Sequence, residues 1–159
     1  MNWMKKVAVA LVCLLPLGLQ AAKIDTLQVK SPSMNKSIEV VVVSPDVAAT
    51  KACPVIYLLH GYGGNACTWV GIKPDLPKIA DEKGIFFVCP DGKNTWYWDS
   101  PLNADVRYET FISNELVKYV DSHYKTVADR KGRAITGLSM GGHGAMWNGL
   151  RHSDVFSAA

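Results

Sequence analysis

Hydrophobic positions occur along this chain as short runs separated by polar and periodic segments. Two early runs, Thr26 to Lys30 and Ile38 to Val43, are rich in β-branched residues, and Ser31-Pro32-Ser33 between them supplies turn chemistry. We expect these two runs to form an opening pair of strands. Three later runs are short, apolar and without alternation, which is typical of strands buried on both faces of a parallel sheet. They are Val55 to Leu59, Ile85 to Cys89 and Ala134 to Leu138.

The segments between the later runs are predicted to be helical. From about Asp105 to Tyr124, apolar residues recur at helical spacing, and Glu109 and Ser113 belong to the opposite, polar face. A weaker helix is predicted from Pro74 to Glu82, with Gly84 as its C-terminal stop. This alternation of strand and helix predicts an α/β domain with an open sheet and right-handed crossovers.

The first 22 residues have the order of a secretory signal peptide. A basic start is followed by an apolar stretch from Val7 to Leu19 and by the small residues Ala21 and Ala22. The alternative is a membrane anchor, but this stretch is too short to cross about 30 Å of hydrocarbon, and Pro16 interrupts it. We therefore expect a signal peptide at residues 1–22, a secreted or periplasmic protein, and no stable membrane anchor.

Composition narrows the remaining possibilities. The 159 residues are 48% hydrophobic and 19% charged, which fits one globular unit over residues 23–159. A net charge of +3 without a basic block argues against a nucleic-acid partner. The cysteines that follow the leader, Cys53, Cys67 and Cys89, lack metal-ligand spacing, so we predict no metal site and no cofactor. Whether any two of them form a disulfide is left open.

The most informative motif is Gly137-Leu138-Ser139-Met140-Gly141, which follows a predicted buried strand. It has the pattern G-x-S-x-G and precedes a segment, His143 to Arg151, that can be helical. In this arrangement the serine stands on a sharp strand-to-helix turn, and the flanking positions need glycine because a Cβ would collide with the neighbouring chain. We predict that Ser139 is a nucleophile.

A second glycine-rich motif, His60-Gly61-Tyr62-Gly63-Gly64, follows the first buried strand. A loop of this kind can bring a backbone N–H over the catalytic serine, to act together with the N–H of the residue after that serine. We assign these oxyanion donors to Tyr62 and Met140. The alternative is an ordinary strand-to-helix turn, which such glycines would also serve.

With both motifs in place, the chain resembles the esterase D-like α/β-hydrolases. This family includes feruloyl, acetyl-xylan and tributyrin-type esterases, S-formylglutathione hydrolases and mycolyltransferases. The resemblance covers roughly Ile38 to Ala159 and implies a mostly parallel sheet with helices on both faces. It rests on Leu58-Leu59-His60-Gly61-Tyr62-Gly63-Gly64, Pro90-Asp91-Gly92 followed by Trp96-Tyr97, Tyr108-Glu109-Thr110-Phe111 with Glu115-Leu116, and Gly137-Leu138-Ser139-Met140-Gly141-Gly142-His143-Gly144-Ala145.

The chain departs from the family in its catalytic triad. The family places nucleophile, acid and histidine in that chain order, and only Asp154 and two histidines, His143 and His152, follow Ser139. We expect a structural role for His143, and we expect the His60 ring to brace the oxyanion loop by hydrogen bonding. The sequence therefore predicts the N-terminal part of a domain of about 200–250 residues, truncated after the nucleophile helix, with the triad acid and histidine outside this chain.

Aromatic residues follow the second buried strand, at the edge of the sheet where ligands bind in open α/β folds. Trp96 and Tyr97 are candidate substrate contacts, and two alternatives remain open: a platform for a sugar or aromatic acyl group, or a loop packed on the core. Asp91 and Asp99 are either polar substrate contacts or turn residues.

The resemblance and the motifs together favour an exported serine carboxylesterase that forms an acyl-enzyme on Ser139. Its substrate would be a small-molecule or carbohydrate-linked ester, with feruloyl or acetyl as the acyl group. The alternative is a non-catalytic binding protein or an acyltransferase relative that retains the nucleophile turn.

Overall fold

The computed structural model describes residues 22–159, and apart from Ala22 the predicted signal peptide lies outside this part. Five strands form one sheet in the order β1-β2-β4-β3-β5. Their bounds are Lys23–Ser31 for β1, Lys36–Ser44 for β2, Val55–Leu59 for β3, Phe86–Pro90 for β4 and Arg133–Gly137 for β5. All five correspond to the strands predicted from hydrophobic runs.

The directions of the strands confirm the predicted α/β class. β2 pairs antiparallel with both β1 and β4, whereas β3 pairs parallel with both β4 and β5. It follows that β2 alone runs against the other described strands. The β1–β2 connection is the predicted turn, closed by the Asn35 N–H, which donates to the Pro32 carbonyl at 3.3 Å with Asn35 at a φ of 48°.

Four helical segments pack against this sheet. α1 spans Thr68–Ile72, α2 spans Leu76–Lys83, and α4 spans Met140–Arg151. The segment between them, here α3, is α-helical at Tyr108–Thr110, π-helical at Phe111–Leu116 and α-helical again at Val117–His123. Short 3₁₀ turns lie at Asp46–Ala49 and Arg130–Gly132.

The third helix begins later than its periodicity predicts. Backbone bonds from Ser100 to Val106 and from Tyr108 to Trp98 hold the residues before Tyr108 in a loop. Asp99 then caps the helix, because its carboxylate accepts from the Thr110 N–H at 3.0 Å and from the Thr110 hydroxyl at 2.6 Å. By contrast, α2 ends as predicted, at Gly84 in the left-handed conformation with a φ of 62°.

The hydrophobic core lies on both faces of the sheet. On β2, Val40 and Val42 face one side, and Val41 and Val43 face the other, as the alternation of a strand requires. The first side packs against α3 and Ala145 of α4, and the second packs against α2. Helices therefore cover both faces, and the carboxyl ends of β3, β4 and β5 open onto the same edge of the sheet.

At the outer edge of β5 the pairing is brief. The segment from Val155 to Ala158 contacts β5 through two backbone hydrogen bonds: the Ile135 N–H donates to the Ala158 carbonyl at 3.0 Å, and the Ser157 N–H donates to the Arg133 carbonyl at 3.0 Å. Its pairing with β5 is an isolated bridge between Ala134 and Ala158 and does not extend into a ladder. Between residues 22 and 159, no helix has the length and apolar character needed to cross a membrane.

Candidate active site

Ser139 occupies a strained turn between β5 and α4. Its φ of 53° and ψ of −115° lie outside the regions that ordinary residues prefer, a conformation that costs about 1–3 kcal/mol. The turn is held by the Leu138 N–H, which donates to the Leu59 carbonyl at 3.1 Å, and by the Gly141 N–H, which donates to the Leu138 carbonyl at 2.8 Å. The serine is exposed to solvent at the carboxyl edge of the sheet.

The two glycines of the motif are required by close backbone contacts. A Cβ on Gly141 would overlap the Leu59 backbone, and a Cβ on Gly137 would overlap the backbone of Gly141. Backbone atoms cannot rotate away as a side chain can, so neither position has room for a larger residue. The spacing that the sequence motif indicated is therefore explained by packing of the turn against β3.

The predicted oxyanion loop lies directly beside this turn. An ideal Cβ on Gly61 would stand 3.3 Å from the Leu138 carbonyl oxygen and 3.6 Å from the Cβ of Ser139, so the loop passes close to the turn. The loop closes tightly, with the Gly64 N–H donating to the Gly61 carbonyl at 3.0 Å and Gly63 at a φ of 77°. Among residues 22–159, the Tyr62 and Met140 N–H groups have no hydrogen-bond acceptor. Both remain available for a ligand oxygen.

The His60 side chain is hydrogen-bonded to the predicted oxyanion loop. Its ring is buried, with Nδ1–H donating to the Gly61 carbonyl at 2.7 Å and Nε2 accepting from the Gly92 N–H at 2.9 Å. Because Nε2 accepts from the Gly92 N–H, the bond to the Gly61 carbonyl is donated by Nδ1, and Asp91 Oδ1 lies 3.5 Å from the same Nε2. With both ring nitrogens engaged, His60 has a structural role.

The other described histidines also have partners away from Ser139. His143 Nδ1 donates to the Trp96 carbonyl at 3.2 Å, His123 Nδ1 lies 2.8 Å from the Tyr119 carbonyl, and His152 Nε2 lies 2.9 Å from Glu109. None of the hydrogen bonds within residues 22–159 involves the Ser139 hydroxyl. In the described part of the chain, the predicted nucleophile Ser139 therefore has no histidine hydrogen-bonded to it.

Two carboxylates near the site are turn residues. Asp91 accepts from the Lys93 N–H at 2.8 Å and from the Lys93 ammonium at 2.6 Å. Asp99 caps α3, as described above. The sequence left two alternatives open for these residues, substrate contacts or turn residues. The local contacts of both carboxyl groups support the second.

Trp96 and Tyr97 have different environments although they are adjacent. Both adopt positive φ angles, 58° and 60°. The Tyr97 side chain is completely buried against Gly92 and Gly144, and its hydroxyl donates to the His60 carbonyl at 3.1 Å. Burial raises the pKa of this phenol. For Tyr97, the burial of the ring supports the second of the two alternatives that the sequence left open, a loop packed on the core.

Trp96 remains exposed beside the site. Its side chain is 46% exposed and meets the His143 ring edge-on, with centroids 5.3 Å apart. Trp98 is 42% exposed and contacts Trp147 in the same manner at 6.3 Å. Trp96 keeps its status as a candidate substrate contact.

A buried carboxylate that the sequence placed on a polar helix face joins two helices. Glu109 accepts from Trp147 Nε1 at 2.7 Å and from Arg151 Nε at 2.8 Å, and it also contacts His152. Burial alone would raise the pKa of Glu109, but the hydrogen bonds from Arg151, Trp147 and His152 hold it below its ordinary value. Ser113, predicted on the same polar face, is buried as well. The polar face of α3 is therefore buried at these two positions, and side chains of α4 cover Glu109.

The three cysteines in the described part are free thiols. Cys53 and Cys89 are buried in the core, and Cys67 is exposed at the start of α1. Burial raises the pKa of the Cys89 thiol to about 12, so this group is an inert core residue at neutral pH.

Comparison with known proteins places this geometry in a family. The Esterase family model, described as "Putative esterase", matches residues 31–159. An acetyl esterase of Caldicellulosiruptor saccharolyticus is 32% identical over 102 residues, which are 64% of this chain and 37% of that protein. The esterase Rv1288 of Mycobacterium tuberculosis is 27% identical over 83% of this chain and 30% of its own length. The chain spans about a third of these curated relatives.

Solved structures agree with the family match. A ferulic acid esterase superposes with a TM-score of 0.74 at 31% identity, covering 87% of this chain and 61% of its own. An S-formylglutathione hydrolase from Agrobacterium tumefaciens superposes with a TM-score of 0.77 at 25% identity, covering 87% of this chain and 57% of its own. The chain belongs to the Esterase family and has the α/β-hydrolase fold of these structures.

Proposed function

We propose that this protein, expressed from its complete reading frame, is a serine carboxylesterase with Ser139 as nucleophile. One observation carries the proposal: a strained Ser139 stands beside Gly61, and the N–H groups of the residues that follow these two, Met140 and Tyr62, have no acceptor among residues 22–159. Strain of this kind persists where the surrounding structure maintains it, and it concentrates at functional sites.

The geometry supports a two-step reaction. The Ser139 oxygen attacks the acyl carbonyl of the ester, and the developing oxyanion accepts from the Tyr62 and Met140 N–H groups. Loss of the alcohol leaves an acyl group on Ser139, and water then attacks this acyl-enzyme and releases the acid. The N-terminus of α4 adds favourable electrostatics for the oxyanion. The histidine that accepts the serine proton and the acid that orients it would come from residues beyond this chain.

The substrate class that we propose is a small acyl ester, with an acetyl or feruloyl group carried on carbohydrate. Support comes from the acetyl esterase and ferulic acid esterase among the similar proteins and from the exposed Trp96, whose ring can stack on a sugar or an aromatic acid.

Export is part of the same proposal, because the predicted leader would deliver the enzyme to extracellular polysaccharide. N-terminal sequencing of exported protein should then begin at Ala22 or Lys23.

A second candidate is a binding protein or acyltransferase relative that keeps the turn without ester hydrolysis. The observation in its favour is that no histidine among residues 22–159 contacts Ser139. The downstream reading frame separates the two candidates. A later aspartate and histidine after further strands would support the esterase, and their absence would support the second candidate.

The decisive experiment compares Ser139→Ala with Ser153→Ala in the protein from the complete reading frame. Ser139→Ala should abolish covalent labelling by a fluorophosphonate and nearly all hydrolysis of p-nitrophenyl acetate, with unchanged circular dichroism. Ser153 is exposed and its hydroxyl makes no hydrogen bond within residues 22–159, so Ser153→Ala should behave as the unsubstituted protein. Undiminished labelling of Ser139→Ala would show that another residue is the nucleophile.

A further inference from the structure

The loop that follows β4 contacts both elements that carry the proposed oxyanion donors. This segment, residues 91–98, is called the bridging loop here. It reaches the oxyanion loop on one side and helix α4 on the other. Tyr97 makes bonds on both sides, and the loop links two parts of the site that meet nowhere else through side-chain hydrogen bonds among residues 22–159.

We propose that Asn94 is a positioning residue for the oxyanion hole: its bond to the Gly63 N–H fixes the turn that presents the Tyr62 N–H beside Ser139. The inference rests on the proposed function and adds to it a residue that acts through another group. Asn94 itself contacts neither Ser139 nor Met140 in the described hydrogen bonds.

The contact at Gly63 is specific and close to the donor. The Asn94 Oδ1 accepts from the Gly63 N–H at 2.8 Å. Gly63 directly follows Tyr62, has a φ of 77° and has no atom within 4 Å of an ideal Cβ. Packing therefore does not hold this residue, and hydrogen bonds must. On the opposite side of the turn, the Gly64 N–H donates to the Gly61 carbonyl at 3.0 Å.

The peptide before the turn is attached to the same bridging loop. The Tyr97 hydroxyl donates to the His60 carbonyl at 3.1 Å, and the Gly92 N–H donates to His60 Nε2 at 2.9 Å. The bridging loop thus holds the oxyanion loop at His60 and at Gly63, the residues that lie on either side of Gly61 and Tyr62. A turn held at both ends has little freedom to change the direction of its central N–H.

The far side of the bridging loop is anchored on the nucleophile helix. Asn148 Nδ2 donates to the Tyr97 carbonyl at 3.0 Å, and His143 Nδ1 donates to the Trp96 carbonyl at 3.2 Å. α4 begins at Met140, whose N–H is the second proposed donor. These bonds therefore fix the position of the bridging loop relative to that helix. The spacing between the Tyr62 and Met140 N–H groups is thereby set through one continuous set of contacts.

Because the Asn94 side chain is exposed, an effect of its substitution on the oxyanion hole can be distinguished from an effect on stability. Its side chain lies at the surface, whereas Tyr97 and His60 are buried. Loss of an exposed side chain has little effect on the core. Substitution of Asn94 should therefore change the geometry of the turn without unfolding the protein, which makes it the sharpest residue to test.

The test uses the protein from the complete reading frame and compares Asn94→Ala with Asn94→Asp, which retains the Oδ1 acceptor. Asn114→Ala is the matched control, because Asn114 is exposed on α3 and its side chain makes no described hydrogen bond. Each variant is assayed with p-nitrophenyl acetate and with the matching thionoacetate. In the thionoacetate the developing charge lies on sulfur, which accepts hydrogen bonds weakly, so an oxyanion hole contributes less to its turnover.

Asn94→Ala should lower kcat for the oxygen ester about tenfold with KM nearly unchanged, and it should lower kcat for the thionoester much less. Removal of a whole donor costs about 10²–10³-fold, and a misdirected donor should cost less than that. Asn94→Asp should recover most of the loss, and Asn114→Ala should match the unsubstituted enzyme. Amide hydrogen exchange at Gly63 should accelerate in Asn94→Ala and not in Asn94→Asp.

Different failures have different meanings. If the unsubstituted protein shows no hydrolysis that depends on Ser139, the proposed function is wrong and the positioning role is wrong with it. If the protein hydrolyses esters, but Asn94→Ala lowers both substrates equally or neither, Asn94 does not position the oxyanion hole. Unchanged exchange at Gly63 in Asn94→Ala would likewise overturn the inference, because the bond would then not restrain the turn.

Discussion

At the scale of single residues, two neighbouring glycines at the start of α4 have opposite requirements. A Cβ on Gly141 would overlap the Leu59 backbone, whereas a Cβ on Gly142 would meet the Gly137 carbonyl at 3.4 Å, an ordinary contact. We predict that Gly141→Ala lowers the free energy of unfolding by about 3 kcal/mol or more, since backbone must move to admit the methyl group. Chemical denaturation of both variants, made in the protein from the complete reading frame, measures this difference.

Gly142→Ala is the matched control for that prediction. Alanine is favoured over glycine in a helix interior by about 1 kcal/mol, so this variant should be as stable as the unsubstituted chain or slightly more stable. Equal stability of the two variants would show that α4 does not pack on β3 as closely as the structure has it.

Residue-level chemistry was predictable from sequence where it depends on local spacing. The turn at Ser139 follows from glycines two positions away on either side, and the structure gives the reason for each. The environment of Tyr97 was not predictable, because Gly92 and Gly144, which make room for its ring, lie in separate parts of the chain. Asn94 was missed for the same reason, since its partner Gly63 precedes it by 31 residues.

At the scale of elements, Glu109 joins helix α3 to helix α4. Three side chains of the final turns of α4 or just beyond it, Trp147, Arg151 and His152, contact its buried carboxylate. Glu109→Gln should lower the free energy of unfolding by about 1–3 kcal/mol, because the charged acceptor is lost while the Trp147 N–H stays in place. Glu82→Gln is the control, since among residues 22–159 Glu82 pairs only with exposed Lys78, at 3.7 Å, and its substitution should change stability by less than about 0.5 kcal/mol.

The pH dependence of the free energy of unfolding provides an independent check on the role of Glu109 between α3 and α4. The folded-state pKa of Glu109 lies below its ordinary value of 4.5, so its contribution to stability is fully present above about pH 4.5 and declines as the pH falls towards the folded pKa. The difference in stability between the unsubstituted chain and Glu109→Gln should therefore shrink below pH 4.5. A difference that stays constant from pH 7 to pH 3 would exclude an ionised Glu109 as its source.

Elements with strong local patterns were predicted well, and their irregularities were not. The buried strands appear within one or two residues of the predicted runs, since continuous apolar sequence suits a strand covered on both faces. The π-helical stretch Phe111–Leu116 has the same apolar spacing as an α-helix, so periodicity could not reveal it. The burial of Glu109 depends on α4, which packs there only after the chain has returned from β5.

At the scale of the whole molecule, the described residues form a folded layer structure with one open side. β5 lies at the end of the sheet order, and among residues 22–159 its outer edge forms backbone hydrogen bonds only with Ser157 and Ala158. Three large apolar side chains around this side are at least half exposed: Leu138 at 50%, Met146 at 53% and Leu150 at 73%. An unpaired strand edge next to exposed apolar surface favours association with other chains.

We predict that the 159-residue chain alone has negligible esterase activity and self-associates. The Ser139 hydroxyl has no histidine partner among residues 22–159, and serine hydrolases that lack a triad member retain only about 10³–10⁴-fold acceleration over water. Size-exclusion chromatography with light scattering should show oligomers or aggregates, and p-nitrophenyl acetate should be hydrolysed at close to the background rate. Fusion of the downstream part of the reading frame should restore both solubility and turnover. The prediction would be contradicted if the 159-residue chain were purified as a stable monomer with ordinary enzymatic turnover that depends on Ser139. A described histidine would then have to act as the base, most directly His143 on α4, and it would have to leave its carbonyl partner to do so.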